Sequence, residues 1–228
     1  METGATVTDN WSRRLVVGVA ALGLLGLAVS SLLADGGGHA FDRAIMLALR
    51  TPGAIDDPIG PNWFEDVMRD MTALGGIAVV VGAGLVFAGY LALRRRFADV
   101  AILAASLAGA QVISAIAKFL ISRPRPDLVS HEAEIYSASF PSGHTLMATV
   151  AYVTFAMLIA ADFSDRRVRD YLLVVAWVVA LAVGASRIYL GVHWPSDVLA
   201  GWAVGALWMI ALRSWVPRLR GTFVLARA

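Results

Sequence analysis

The sequence predicts an all-α fold, a polytopic membrane protein with six transmembrane helices and short interfacial helices between the first two. Three observations carry that expectation. Hydrophobic residues fill 58% of the 228 positions and mean hydropathy is +0.70, whereas an ordinary soluble domain is about 45–50% apolar. The apolar residues gather into nearly charge-free runs, and a spanning helix needs roughly 20 of them, about 17–25 being usual. Basic residues cluster at alternate ends of those runs, as membrane threading requires.

Six runs approach spanning length: Leu15–Ala34, Met71–Leu93, Val100–Ala117, Thr145–Ala161, Tyr171–Ser186 and Pro195–Leu212. The last three are short, and uncharged flanks or local thinning of the bilayer accommodate them. Arg13 and Arg14 precede the first run, and "SRRLVV" raises the alternative of a removable twin-arginine signal. Its apolar core is longer than a usual signal core and no clear small-residue cleavage site follows, so the run is read as a retained first span.

Between the first two spans, "HAFDRAIMLALR" sets Phe41, Ile45, Met46 and Leu49 at helical spacing, and "NWFEDVMRDM" sets Trp63 and Phe64 beside acids. Both suit short helices lying in the interface, an ordinary solvated loop being the alternative. Glycines 18, 23 and 26 of the first span and 75, 76, 82, 84 and 89 of the second read as points of close helix contact. No internal repeat or low-complexity linker divides the chain, so residues 1–228 form one membrane-embedded domain.

The chain holds 18 arginines, one lysine and no cysteine. The last excludes disulfides, thiolate metal sites and a cysteine nucleophile. Twelve arginines (13, 14, 94, 95, 96, 166, 167, 169, 213, 218, 220 and 227) fall on one side of an alternating six-span threading. By the positive-inside rule both termini are then cytoplasmic. The end of span three, the start of four, the end of five and the start of six emerge on the opposite face.

Those four ends carry the unusual residues. In "KFLISRPRP", Lys118 and Arg125 lie seven residues apart, and Pro124 and Pro126 stop the helix before Arg125. A lone basic side chain there would merely snorkel to the headgroups. In "FPSGH", Pro141 opens a helix, Ser142 can cap it and Gly143 lets a ligand approach the backbone. Its free N–H groups would suit phosphate, and His144 projects from the first turn. Alone, this is a capped helix start.

In "SRIYLGVHWPSD", His193 and Asp197 are four apart across the helix entry at Pro195. A carboxylate bonded to one imidazole nitrogen fixes the tautomer and leaves the other nitrogen as a nucleophile. Arg187 adds a forked cation suited to phosphate oxygens. Alone, the pair is an interfacial hydrogen bond. Together, three cations, two histidines and one aspartate on one face of nearly charge-free spans favour function, because ionisable groups near membrane depth are costly. Two histidines suit two tasks, attack and protonation of a leaving oxygen.

These three stretches resemble the signature motifs of the type-2 phosphatidic acid phosphatase superfamily, K-x6-R-P, P-S-G-H and S-R-x5-H-x3-D, at every signature position. The motifs span residues 118–197, and the six-span layout resembles the family's integral-membrane lipid phosphatases. "RDMTALGG", Arg69 to Gly76, is similar to the entry to span two in bacterial members.

The resemblance implies that His193 forms a phosphohistidine, Asp197 orients it and His144 protonates the leaving alcohol. It further implies that Lys118, Arg125 and Arg187, with Ser142 and the Gly143 amide, hold the phosphoryl oxygens. It implies no cofactor and no metal, and the cluster carries cations where a magnesium enzyme needs carboxylates.

The expected reaction is hydrolysis of a lipid phosphate or diphosphate: a polyprenyl diphosphate, phosphatidic acid, phosphatidylglycerol phosphate or phosphorylated lipid A. A soluble ester, as in the related glucose-6-phosphatases, is a further substrate class. Phosphoryl transfer to a second lipid is the alternative enzyme, and a non-catalytic lipid-phosphate binder or transporter the alternative class. Six spans argue against the soluble vanadium haloperoxidases that share the motifs. The expected partners are the lipid phosphate and membrane lipids, with no nucleic acid, and the sequence does not fix the oligomeric state. Arginine in preference to lysine points to a GC-rich bacterial source, hence to a cytoplasmic membrane with the site on its periplasmic or outer face.

Overall fold

The computed structural model describes residues 37–128 and 138–225, so the predicted first span, Leu15–Ala34, lies outside the described residues. In chain order the elements are α1 (Gly37–Ala48), the strands β1 (Arg50–Thr51) and β2 (Ala54–Pro58), α2 (Asn62–Ala73), α3 (Ile77–Leu93), α4 (Phe97–Ile121), α5 (Gly143–Ala160), α6 (Arg166–Tyr189) and α7 (Pro195–Leu225). Among the described residues, four helices are long and apolar enough to cross a membrane: α4, α5, α6 and α7 through Leu212. The pair α2 and α3, bent by 52°, qualifies as a fifth crossing.

Two features correct the sequence expectation. The run Met71–Leu93 is not one helix, because the chain breaks at Leu74–Gly76 and turns between α2 and α3. Gly75 lies there against Val183 and the backbone carbonyl of His144, where a Cβ would sit only 2.6 Å and 2.8 Å from them, so the elbow depends on a bare backbone. The second feature is a small antiparallel hairpin, β1 with β2, in a chain read as all-α. Pro52 and Gly53 form its turn, and Gly53 takes the positive φ of 84° that a type II turn needs at its second central residue.

Helix α5 is the axis of the bundle. Twelve of its eighteen residues are buried, and α4, α6 and α7 pack around it. Leu146, Met147, Val150 and Val153 of α5 meet Val80, Ala110, Trp177 and Ala206 in the main core. The outer helices turn large apolar side chains away from the bundle, for example Val86 at 78% exposure and Phe119 at 82%, which is the expected lining of a lipid-facing surface. Chain, fold and composition together make this a multi-pass membrane protein.

Gly18, Gly23 and Gly26 lie outside the described residues, and close helix contact occurs at only some of the other expected glycines. Gly84 faces Leu107, but among the described residues nothing lies within 4 Å of a Cβ at Gly82 or Gly89. Other glycines do receive neighbours: Gly109 takes the ring of Trp208, Gly184 that of Trp202, and Gly201 and Gly205 of α7 lie on Thr145 and Thr149 of α5. The last four residues repeat at intervals of four on both helices, the small-residue spacing that lets membrane helices approach.

The two ends of the bundle differ. At one end Arg96 ties the α3–α4 turn to the end of α5, with Nε 2.7 Å from Asp99 Oδ2, Nη1 2.9 Å from Asp162 Oδ1 and Nη2 donating to the Leu158 carbonyl at 3.1 Å. At the other, α1, the hairpin and α2 lie against the C-terminal end of α6 and the start of α7. Arg50 donates to the Tyr189 carbonyl at 2.8 Å, Tyr189 Oη donates to the Ile59 carbonyl at 2.8 Å, and Phe64 meets the Tyr189 ring edge-on at 5.2 Å. Both segments expected to be short helices between the first two spans are helical.

Candidate active site

The residues singled out by the three motifs converge at this second end. Helix α4 places Lys118 in its last turn and stops at Ser122, which takes a left-handed φ of 45°. The prolines that follow hold the chain extended, and it runs across the start of α7. There Trp194 Nε1 donates to the Pro124 carbonyl at 3.1 Å, and Arg125 Nη1 donates to the Val192 carbonyl at 2.8 Å. Arg125 is thereby delivered to His193, its Nη1 lying 3.2 Å from Nε2.

His193 is buried between α6 and α7. Its Nδ1 lies 3.2 Å from Ser139 Oγ and 3.5 Å from Asp197 Oδ2. Ser139 Oγ also donates to Asp197 Oδ2, and the Trp194 backbone N–H donates to the same oxygen at 3.0 Å. An arginine can only donate, so Nε2 must be the accepting nitrogen and Nδ1 carries the proton. The carboxylate therefore orients the imidazole through both a long direct contact and the serine hydroxyl.

Burial, reinforced by the charges of Arg187 and Arg125, pushes the His193 imidazole down to about 4 against the raising effect of Asp197. Burial likewise pushes Arg125 below its ordinary value, with Asp197 opposing. His193 is thus held neutral, the form able to share a lone pair.

At the start of α5, the Ser142 backbone N–H donates to the Asp197 carbonyl at 3.0 Å, locking this helix to α7. Ser142 occupies the cap position, but its side chain caps nothing; its hydroxyl instead accepts from Thr145 Oγ1 at 2.9 Å. That departs from the capping expected of it and leaves the first-turn amides without a side-chain oxygen. A Cβ at Gly143 would lie 3.9 Å from Lys118 Nζ, which brings the bare backbone and that cation together.

His144 follows in the first turn, beside Gly76, and lies within electrostatic reach of Arg187, His193, Lys118 and Arg125. Arg187, buried at the end of α6, donates from Nη1 to Thr72 Oγ1 at 2.7 Å, and among the described residues its Nε finds no partner. Lys118, Arg125, Ser142, Gly143, His144, Arg187, His193 and Asp197 therefore share one end of the bundle. Among the described residues no three His, Asp or Glu side chains gather as metal ligands.

A buried arginine with an open donor, two further cations and an uncapped helix start favour an anion with several oxygens. Comparison with known proteins agrees. The PAP2 superfamily model matches residues 99–220, more than half of the chain. The chain is 30% identical to phosphatidylglycerophosphatase B of Bacillus subtilis over 168 residues, 69% of this chain and 78% of that protein.

The chain belongs to the PAP2 superfamily. This PAP2 protein is also 31% identical over 100 residues to an undecaprenyl-diphosphatase of Sulfolobus acidocaldarius, covering 42% of the chain and 44% of that protein. The crystal structure of a transmembrane PAP2-type phosphatidylglycerolphosphate phosphatase from Bacillus subtilis superposes with a TM-score of 0.76 at 25% identity, over 88% of this chain and 96% of that one. The PAP2 protein is a phosphatase.

Sequence reasoning missed four residues around the PAP2 site. Arg123 stands inside the first motif but had no assigned role. Ser139 and Thr72 are ordinary hydroxyls without a pattern. Asp42 carried a signal that went unused, since it lies on the helical stripe of Ile45, Met46 and Leu49, where an acid must have a buried partner.

Proposed function

We propose that the chain hydrolyses a lipid phosphate or lipid diphosphate without a metal, through a phosphohistidine formed on His193. The observation that carries this reading is the orientation of the His193 imidazole: Nδ1 faces Ser139 and Asp197, and Nε2 faces Arg125 at 3.2 Å. Nε2 attacks phosphorus, the bond from phosphorus to the leaving oxygen breaks, and His144 supplies the proton that oxygen needs. Water then attacks the phosphohistidine, giving its proton to His144, and inorganic phosphate leaves with His193 restored.

Lys118, Arg125 and Arg187, with Ser142 and the Gly143 amide, stabilise charge spreading over the equatorial oxygens, which is most of what phosphoryl transfer asks of a protein. The arginine distribution supports a cytoplasmic-membrane location, both termini cytoplasmic and the site on the outer face. Phosphatidylglycerophosphate is the first substrate to try, because the relative matched over most of its length bears that activity in its name.

The test is inorganic phosphate release from a panel of phosphatidylglycerophosphate, phosphatidic acid, undecaprenyl diphosphate and a soluble phosphomonoester, with and without a chelator. Turnover of a lipid that survives chelation and disappears in H193A is expected. A strict divalent-metal requirement, or full turnover by H193A, refutes the mechanism.

A further inference from the structure

Among the described residues, a buried polar cluster reaches beyond the signature positions and joins α1 to the start of α7. Asp42 and Asp197 are fully buried, yet one guanidinium serves both: Arg123 Nη2 lies 2.7 Å from Asp42 Oδ2, and Nη1 lies 2.7 Å from Asp197 Oδ1. Asp42 further accepts from the Ser196 backbone N–H at 2.9 Å and from Ser196 Oγ at 2.6 Å, while Arg123 Nη1 also reaches Ser196 Oγ at 2.7 Å. Arg123 stacks over the Trp194 ring, 5.6 Å from its centre.

This is a closed arrangement. With Oδ1 of Asp197 held by Arg123, the other oxygen, Oδ2, is turned to Ser139, the Trp194 amide and His193. Asp42 fixes the opposite arm of the guanidinium and, through Ser196, the backbone beside Asp197. A buried ion pair that loses one member leaves a charge uncompensated, so disturbing Asp42 must change how Arg123 meets Asp197.

We propose that Asp42 and Arg123 are positioning residues for the reaction: they set the Asp197 carboxylate and, through it, the attacking nitrogen of His193, without touching the phosphoryl group. The proposal rests on His193 being the nucleophile.

The test measures kcat and KM for D42N, R123K, D197N, H193A and the double variant D42N/D197N of the full-length protein in detergent. The substrate is phosphatidylglycerophosphate, or whichever lipid of the panel turns over fastest, and activity is normalised to the fraction that melts cooperatively. D42N and R123K, the latter too narrow to reach both carboxylates, should each lower kcat about tenfold or more, as removal of an orienting partner typically does. KM should stay within about twofold, and D42N should cost almost nothing further once Asp197 is Asn, because groups acting through one another are not additive.

Wild-type kcat in either folded variant, a loss confined to KM, or equal effects of D42N in both backgrounds would overturn the proposal. Should D42N not fold, the folded R123K decides on kcat and KM alone. Retained activity in H193A fails the nucleophile assignment instead. An inactive H193A beside a fully active D42N fails only this inference.

Discussion

Arg125 donates from Nη1 to two acceptors, the Val192 carbonyl at 2.8 Å and His193 Nε2 at 3.2 Å. In the resting site the lone pair that would attack phosphorus is therefore already engaged. On the proposed mechanism, an arriving phosphoryl oxygen would offer the guanidinium a better, charged acceptor and so release the imidazole.

Lysine at position 125 keeps the charge but not the fork. It cannot hold the Val192 carbonyl and a phosphoryl oxygen in the same planar geometry. Hydrogen bonds to charged groups contribute about 1.5–3 kcal/mol, so R125K should lose roughly 10- to 150-fold in kcat/KM. Steady-state phosphate release measures this, and an unchanged kcat/KM would remove Arg125 from the phosphate-binding set.

The pH profile follows from the surroundings of His193. Arg125, Asp197 and Ser139 contact the ring, the charge of Arg187 acts on it, and burial leads in holding the imidazole down to about 4. The acid limb of kcat/KM should accordingly fall near pH 4 and not near the ordinary histidine value of about 6.5. For stability the sign is that of a depressed histidine: between about 6.5 and 4 the unfolded chain binds the proton that the folded site refuses. The contribution is complete above about 6.5 and is lost as pH falls towards 4. A rate profile breaking at 6.5 would contradict a neutral, buried His193.

Thr72 supplies the partner of Arg187 Nη1 at 2.7 Å, and among the described residues Arg187 Nε already lacks one. Valine at 72 matches threonine in shape and removes only the hydroxyl, leaving a second donor of the same buried cation unsatisfied. T72V should cost about 1.5–3 kcal/mol of the charged hydrogen bond, read as a fall of roughly 10- to 150-fold in kcat/KM. T72S restores the hydroxyl and should stay close to wild type. Equal activity of T72V and T72S would show that Arg187 is held by other means.

Much of the fold and of the candidate site was legible because their signals are local. Charge-free runs marked the helices α4 to α7, and three motifs with fixed internal spacing named Lys118, Arg125, His144, Arg187, His193 and Asp197. What escaped depends on contacts distant in sequence. Asp42 meets Ser196 across 154 positions, Thr72 meets Arg187 across 115, and Ser139 meets Asp197 across 58. A single hydroxyl has no period to betray such a partner, and the apolar stripe on which Asp42 lies implies a buried partner without saying which residue it is. The elbow at Gly75 and Gly76 escaped for a related reason: hydropathy ran unbroken through it, and only the surfaces of Val183 and His144 show why the helix had to stop.

Gly184 offers a test of what holds the bundle together. Between helices in lipid there is little hydrophobic gain, so association depends on close packing. Gly184 receives the Trp202 ring, a Cβ there would run into Cζ2 and Cε2, and the ring is held in place because Nε1 donates to the Ala180 carbonyl at 3.0 Å. The added methyl must either part α6 from α7 or break that hydrogen bond, and overpacking of this kind costs about 1–3 kcal/mol. Gly82, with nothing among the described residues within 4 Å of its would-be Cβ, is the control. Alanine there relieves the roughly 1 kcal/mol helix penalty of glycine, so thermal unfolding in detergent should place G184A below wild type and G82A at or above it. Indistinguishable melting of the two variants would mean that the α6–α7 contact at Trp202 contributes nothing to holding the helices together.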